Sequence, residues 1–209
     1  MGRHSLVIRH SCLVIFASRY NTPMILEGIA TTIAPEGDLN IAPMGPIVSD
    51  DMRTLVFRPY NTSHTYRNLK AHGEGVFHVT DDVLLLAQAA IGKVAPMPDV
   101  IRAETLLGYI LADCCRYYEF RVVKIDDSTD RVTIDAEVTH HGWKRDFFGF
   151  NRAKHAVVEA AILATRTAFL PMAEIEAEFR KLESIVGKTG GPREKEAFAL
   201  LKERISTAP

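Results

Sequence analysis

Arg58 stands at the end of a short apolar run, Thr54-Leu55-Val56-Phe57, and Pro59 follows it. Proline has no N–H, so the strand predicted for this run stops there. Asn61-Thr62-Ser63-His64-Thr65 is a turn rich in hydroxyls, and Tyr66, Leu69 and Lys70 then follow at helical spacing. Ser63 or Thr62 is a suitable N-cap for that helix. An arginine, several hydroxyls and a helix N-terminus therefore converge on one point. The free N–H groups and positive dipole end of a helix favour an anion, and a guanidinium adds a fork of charged donors. A terminal phosphate monoester is the guest that suits this chemistry. A strand, a capped helix and a surface arginine would satisfy the same residues, and the stretch by itself leaves both readings open.

Upstream lies Asn40-Ile41-Ala42-Pro43-Met44-Gly45-Pro46. Pro43 and Pro46 cannot donate to a ladder, so this segment is expected to be irregular or at a sheet edge. Its backbone groups would then be free to pair with a ligand. Taken together, Asn40 to Met44 follows a strand and a Gly-Asp turn. After it come a strand ending Phe57-Arg58-Pro59 and then Thr62-Ser63-x-Thr65-Tyr66-x-Asn68-Leu69. In order and spacing this resembles the FMN-binding split barrel of flavin reductase-like and flavoredoxin-like proteins, over roughly residues 25–141. The resemblance implies bound FMN. It lays Asn40, Ala42, Pro43 and Met44 along the isoalloxazine ring, and it gives Arg58, Thr62, Ser63 and Thr65 to the phosphate. Asn68 would brace the helix or reach the ribityl chain.

The elements needed to position these residues can be read from patterning. The chain has 209 residues, 47% of them hydrophobic and 24% charged, which is ordinary for a soluble globular protein with a sizeable core. A formal net charge of −1 gives no sign of nucleic-acid or membrane-surface binding. Cys12, Cys114 and Cys115 contain no C-x-x-C, which argues against a disulfide framework or zinc site. The adjacent pair reads as small core residues, and the compartment as the cytoplasm.

Residues 1–23 read as an extension, disordered or preceding a true start at Met24. Arg3, His4 and Arg9 ahead of Leu13-Val14-Ile15-Phe16-Ala17 have a faint signal-peptide look, but the apolar run is too short to span a bilayer. Strands are predicted at 25–34, 39–47, 52–58, 74–80, 115–125 and 131–141, with helices at 63–71 and 82–90. Residues 100–111 are mixed. Val132, Ile134, Ala136 and Val138 alternate onto one face. Short antiparallel strands with small inserted helices suit a closed or split barrel. The fold class is therefore α+β, mainly β: an antiparallel split barrel over 24–142, then a helical domain over 143–209.

Within the second part, 149–168 is a strong helix. Ala153, Ala156, Ala160, Leu163, Ala164 and Thr167 line one side, and Arg152, His155, Glu159 and Arg166 the other. A second helix is predicted at 171–186, a loop at 187–192 and a third helix at 193–205. The run Gly149 to Arg166 is similar to a functionally uncharacterised subgroup of FMN-binding split-barrel proteins that carry a C-terminal helical domain. That extends the resemblance to about residues 24–206. It implies a homodimer with the flavin near the interface, and it makes Arg152, His155 and Glu159 the candidate substrate-side residues. A solvated polar face would account for the same three residues.

Gly187-Lys188-Thr189 lacks the glycine a P-loop needs five residues earlier; Leu182 stands there. No G-x-G-x-x-G is present, but split-barrel flavin reductases dock NADH or NADPH without one. His140-His141 near Trp143 lacks a third metal ligand and reads as a pocket wall or exposed turn. The expected function is an FMN-dependent oxidoreductase of unidentified substrate, with NADH or NADPH as a donor and no assigned catalytic side chain. A non-catalytic FMN carrier, sensor or assembly module is the alternative, and a barrel that has lost its flavin a third reading.

Overall fold

Alternating apolar residues and proline stops set the strands here, and capping side chains set the helices. The structure, a computed structural model, describes residues 24–207; the expected 1–23 extension lies outside them. The first half contains β1 (Met24–Ile25), β2 (Gly28–Ile33), β3 (Leu39–Met44), β4 (Ile47–Val48), β5 (Thr54–Phe57), α1 (His64–His72), β6 (Glu74–Val79) and α2 (Val83–Ala90). Then follow β7 (Val100–Arg102), β8 (Tyr109–Leu111), β9 (Arg116–Asp126), β10 (Thr133–Trp143), α3 (Arg152–Ala164), α4 (Met172–Thr189) and α5 (Pro192–Ser206). No helix among the described residues is long and apolar enough to cross a membrane.

Eight strands form one antiparallel sheet in the order β1-β4-β5-β10-β9-β6-β2-β3, with β7 and β8 as a separate hairpin. The sheet curls into a split barrel whose edges are β1 and β3. Phe57, Phe77, Phe120, Leu55, Leu69 and Ile134 fill its inside. A second core lies on the outer face of β2 and β6. There Ile29, Ile41 and Val76 meet α2 and the small residues of α3, and Ile175, Phe179, Phe198 and Leu201 complete it from α4 and α5. β2 is covered on both faces, and all six of its residues are buried. This is why Gly-Ile-Ala-Thr-Thr-Ile shows no alternation.

Several boundaries differ from the pattern reading. The strand expected at 39–47 ends at Met44, because Gly45-Pro46 interrupts it. Ile47 and Val48 then leave β2 and pair with β1 and β5. The loop expected at 187–192 is shorter, since α4 runs on to Thr189 and so absorbs Gly187-Lys188-Thr189. Buried Val186 anchors this last turn to the core. The mixed segment 100–111 is the β7–β8 hairpin. Its turn is held by buried Glu119, whose carboxylate accepts the Glu104 and Thr105 N–H groups and the Thr105 hydroxyl. Cys114 and Cys115 are free and buried.

A polar clasp fixes the helices to the barrel. Asp81, just after β6, is 6% exposed. Its carboxylate accepts from the Arg145 guanidinium at 2.7 Å and from the Phe148 N–H at 2.8 Å. Lys154 of α3 donates to the Asp81 carbonyl at 2.6 Å and pairs with Glu194 of α5 at 3.3 Å. Arg145 also pairs with Asp113. Burial pushes the Asp81 carboxyl upward, but the bonds from Arg145 and Phe148 outweigh it and leave the group below its usual range.

His78 is buried completely in β6. Its Nδ1 lies 3.0 Å from the Ile29 carbonyl, and the Leu111 N–H donates to its Nε2 at 3.1 Å. The ring is thus neutral with its proton on Nδ1. Burial, opposed in part by the bond to Ile29, lowers its pKa from 6.5 to about 4. The unfolded chain binds the extra proton more readily, so this contribution is intact above pH 6.5 and is lost as pH falls toward 4. The expected loss is about 3 kcal/mol across that window. Urea midpoints of the native protein and His78→Asn, measured from pH 7 to pH 4, check it: the native protein should show the steeper acid slope.

Candidate functional site

Arg58 follows β5 directly, is exposed, and makes no hydrogen bond or ion pair among the described residues. Beyond it the chain is zipped to the β9–β10 turn. The Pro59 carbonyl accepts the Val132 N–H at 3.0 Å, and the Asn61 N–H donates to the Asp130 carbonyl at 2.9 Å. The Asn61 amide donates to the Asp130 carboxylate at 3.0 Å.

Ser63 is the N-cap of α1. Its oxygen accepts the Tyr66 N–H at 3.2 Å, and its hydroxyl donates to the Tyr60 carbonyl at 2.8 Å. The Arg67 N–H goes to the Ser63 carbonyl. The earlier amides of His64 and Thr65 belong to the turn that has no intrahelical acceptors. No acidic residue lies in this first turn, while Lys70 and His72 lie in the last. The dipole end beside Arg58 and exposed Thr62 is therefore not neutralised from within the helix. Asp127 of the same β9–β10 turn docks α1, accepting from the Tyr66 hydroxyl at 2.6 Å and the Lys70 ammonium at 2.7 Å. Those bonds hold its carboxyl below the usual range.

Behind the turn, Thr32 of β2 gathers three of the expected cofactor residues. Its Oγ1 accepts from Asn40 at 3.1 Å and from Asn68 at 3.0 Å. Asn40 also donates to the Thr65 hydroxyl at 3.2 Å. Thr65 and Asn68 are each 3% exposed, so they brace α1 against β2 and β3 from inside. Ala42, Pro43 and Met44 are half-buried on β3, where Pro43 faces Ile29. β2 is the ladder partner of β3, whose other side is a sheet edge.

The three residues expected on the substrate side are all exposed on α3. Glu159 lies near Glu27, whose carboxyl is raised by burial and then by the Glu159 charge. Glu27 itself packs on the backbone after Met44: a Cβ at Gly45 would lie 2.8 Å from its Oε1. His155 instead stacks on Phe150, with centroids 6.2 Å apart. Arg152 is exposed at the start of the helix.

A separate cavity of about 700 Å³ is lined by Arg53, Glu137, Thr139, His140 and His141. Thr139 is the extra residue of a bulge between Val138 and His140. Thr54 begins β5 and Arg58 follows its end, so this cavity and the turn before α1 lie at opposite ends of that strand. No group of three His, Cys, Asp or Glu among the described residues is arranged to hold a metal.

Pattern reading missed Thr32, Tyr60 and Arg131. The Arg131 guanidinium lies 4.7 Å from the centroid of the Tyr60 ring, which brings a second cation to the turn. The only local sign was its position beside the polar turn at 126–130.

Because Asn68 is buried with its amide bonded to Thr32, Asn68→Ala should lower stability by about 1–3 kcal/mol. A double-mutant cycle with Thr32→Val, read by denaturant midpoints, should show coupling of at least about 0.5 kcal/mol.

Comparison with known proteins gives the chain its relatives. The model for the N-terminal domain of DUF447, a protein of unknown function, matches residues 26–145, and the companion DUF447 model matches residues 151–203. No curated protein matches. Among solved structures, an FMN-bound DUF447 protein from Methanosarcina mazei superposes with a TM-score of 0.75 at 23% identity, over 88% of this chain and 96% of that one. Flavoredoxin from Methanosarcina acetivorans gives 0.48 at 13% identity, over 68% of this chain and 76% of that one. Nitrilotriacetate monooxygenase component B from Bacillus cereus gives 0.48 at 18%, over 67% and 82%. With both of its models matched in order along most of the sequence, the chain belongs to the DUF447 family.

Proposed function

We propose that this protein binds FMN at the α1 turn and the β3 edge, and that it is an FMN-dependent oxidoreductase. One observation carries the reading: among the described residues Arg58 has no hydrogen-bond or ion-pair partner, and it precedes an uncompensated helix N-terminus in a chain whose fold matches an FMN-bound member of its own family. The donor set suits a phosphate monoester dianion: a guanidinium, the hydroxyl of Thr62 and the first amides of α1. Bound FMN would supply the redox chemistry. The chain's own residues bind and orient it. Arg58 and the α1 amides fix the phosphate, Ser63 holds the turn in shape, and the Asn40–Thr32–Asn68 network holds β3 against α1. Ala42, Pro43 and Met44 then present an edge, interrupted by proline, along which a flat ring can lie.

We further propose a homodimer. Trp143, Phe147, Phe148 and Phe150 are 58%, 48%, 83% and 94% exposed in one short stretch from the last residue of β10 to the start of α3. Aromatic exposure concentrated like this marks an association surface. In sedimentation the native protein should run as a dimer, and Phe148→Asp with Phe150→Asp should shift it to monomer.

The cofactor reading is tested by an absorbance spectrum before and after adding FMN, followed by gel filtration. Retained flavin bands are expected, and their absence after saturation would remove the reading. Arg58→Ala should weaken FMN binding by about 1.5–3 kcal/mol; unchanged affinity would sink the phosphate assignment. Bleaching of the bound flavin by NADH or NADPH, then reoxidation on adding an acceptor, separates an oxidoreductase from a carrier.

A further inference from the structure

Tyr60 sits between Arg58 and the cap residue Ser63. Its carbonyl accepts both the N–H of Ser63, at 3.0 Å, and the Ser63 hydroxyl, at 2.8 Å. Its backbone is therefore part of the turn that would carry the phosphate. Its ring is held from two directions. The Arg131 guanidinium carbon lies 4.7 Å from the ring centroid. Phe169 stacks against it nearly parallel, at 6° and 6.3 Å. A guanidinium over a ring face and a parallel aromatic neighbour are both attractive arrangements.

Phe169 comes from the segment between α3 and α4. That segment is wound into a tight turn, because the Arg166 carbonyl accepts the N–H groups of both Phe169 and Leu170. The C-terminal helices thus reach across to the phosphate turn of the barrel. Core packing does not explain the contact: Tyr60 is 45% exposed and Phe169 69% exposed, and neither belongs to the two hydrophobic cores.

We propose that the Tyr60–Phe169 pair, pinned by Arg131, is an outer wall of the phosphate turn and selects flavin mononucleotide against flavin adenine dinucleotide. This rests on the FMN reading above. A mononucleotide ends at its phosphate, so every oxygen beyond the ester is available to Arg58 and the α1 amides. A dinucleotide continues from that phosphate through a second one to adenosine, and its chain must leave over the outside of the turn. Here that side carries two rings already locked together. Arg131 and Phe169 against it leave Tyr60 less ring surface on which adenine could stack. Selection of this kind works by obstructing the competitor rather than by adding contacts to the preferred ligand.

Dissociation constants for FMN, FAD and riboflavin, measured by flavin fluorescence on the native protein, Phe169→Ala and Tyr60→Leu, test the wall. The native protein should prefer FMN to FAD. Phe169→Ala should leave FMN binding within about threefold and narrow the FMN-to-FAD ratio by about tenfold or more through tighter FAD binding. Tyr60→Leu should narrow it in the same direction. Phe169 is mostly exposed, so its truncation leaves the cores intact, and thermal melts of each variant confirm this. An unchanged ratio in both variants overturns the proposal. So does weaker FAD binding in Phe169→Ala, which would make the rings a platform for adenine. Equal native affinity for FMN and FAD overturns the wall while sparing the flavin site. Failure of the native protein to bind any of the three removes both.

Discussion

Asp81 is the buried charge on which the arrangement of this molecule depends. It lies just after β6, yet both donors to its carboxylate come from beyond residue 144, the Arg145 guanidinium and the Phe148 N–H, while its carbonyl accepts from Lys154 as well as from the nearby Val83 N–H. A carboxylate at 6% exposure persists only because those donors are in place. The clasp sets where α3 begins. The length of α3 then sets where Phe169 arrives, beside Tyr60 in the turn before α1. One electrostatic knot near the end of β6 therefore governs the composition of a site at the opposite end of the barrel.

The turn before α1 is built redundantly, and from one source. The β9–β10 turn supplies Asp127 to α1, Asp130 to Asn61, and Arg131 to Tyr60. The loop is tied at three points, while Arg58 has no partner among the described residues. Donors that are already oriented lose little conformational freedom when an anion arrives. The same economy holds behind the turn, where a single threonine oxygen accepts from two side-chain amides, buried Asn68 and half-buried Asn40.

Local chemistry made part of this legible in the sequence. Pro59 stops β5, Ser63 caps α1, and the alanines of α3 lie on its buried face, as their spacing requires. The alternation of Val132, Ile134 and Ala136 marks the inside of the barrel. What stayed hidden is non-local. β2 shows no period because both of its faces are covered, and β4 changes partner across a two-residue break. Thr32 looks like any strand threonine until Asn40 and Asn68 arrive from elsewhere. Phe169 carries no local mark of the ring it meets. Glu119 is a buried carboxylate in a strand, satisfied by a hairpin whose own sequence was ambiguous.

The outer core has a consequence for how the chain comes into being. Ile29, in the second strand, and Leu201, in the last helix, belong to one apolar cluster. During synthesis the barrel's strands and α2 are complete once Trp143 has emerged, but the side of α2 that packs on α3 and α5 stays bare until those helices are released. A nascent chain in that interval displays an apolar helix face, the kind of surface that chaperones shield and that aggregates when unshielded. The two halves matched by separate family models are thus joined by more than a linker. They share one apolar core, and a break between them would expose part of it on each side.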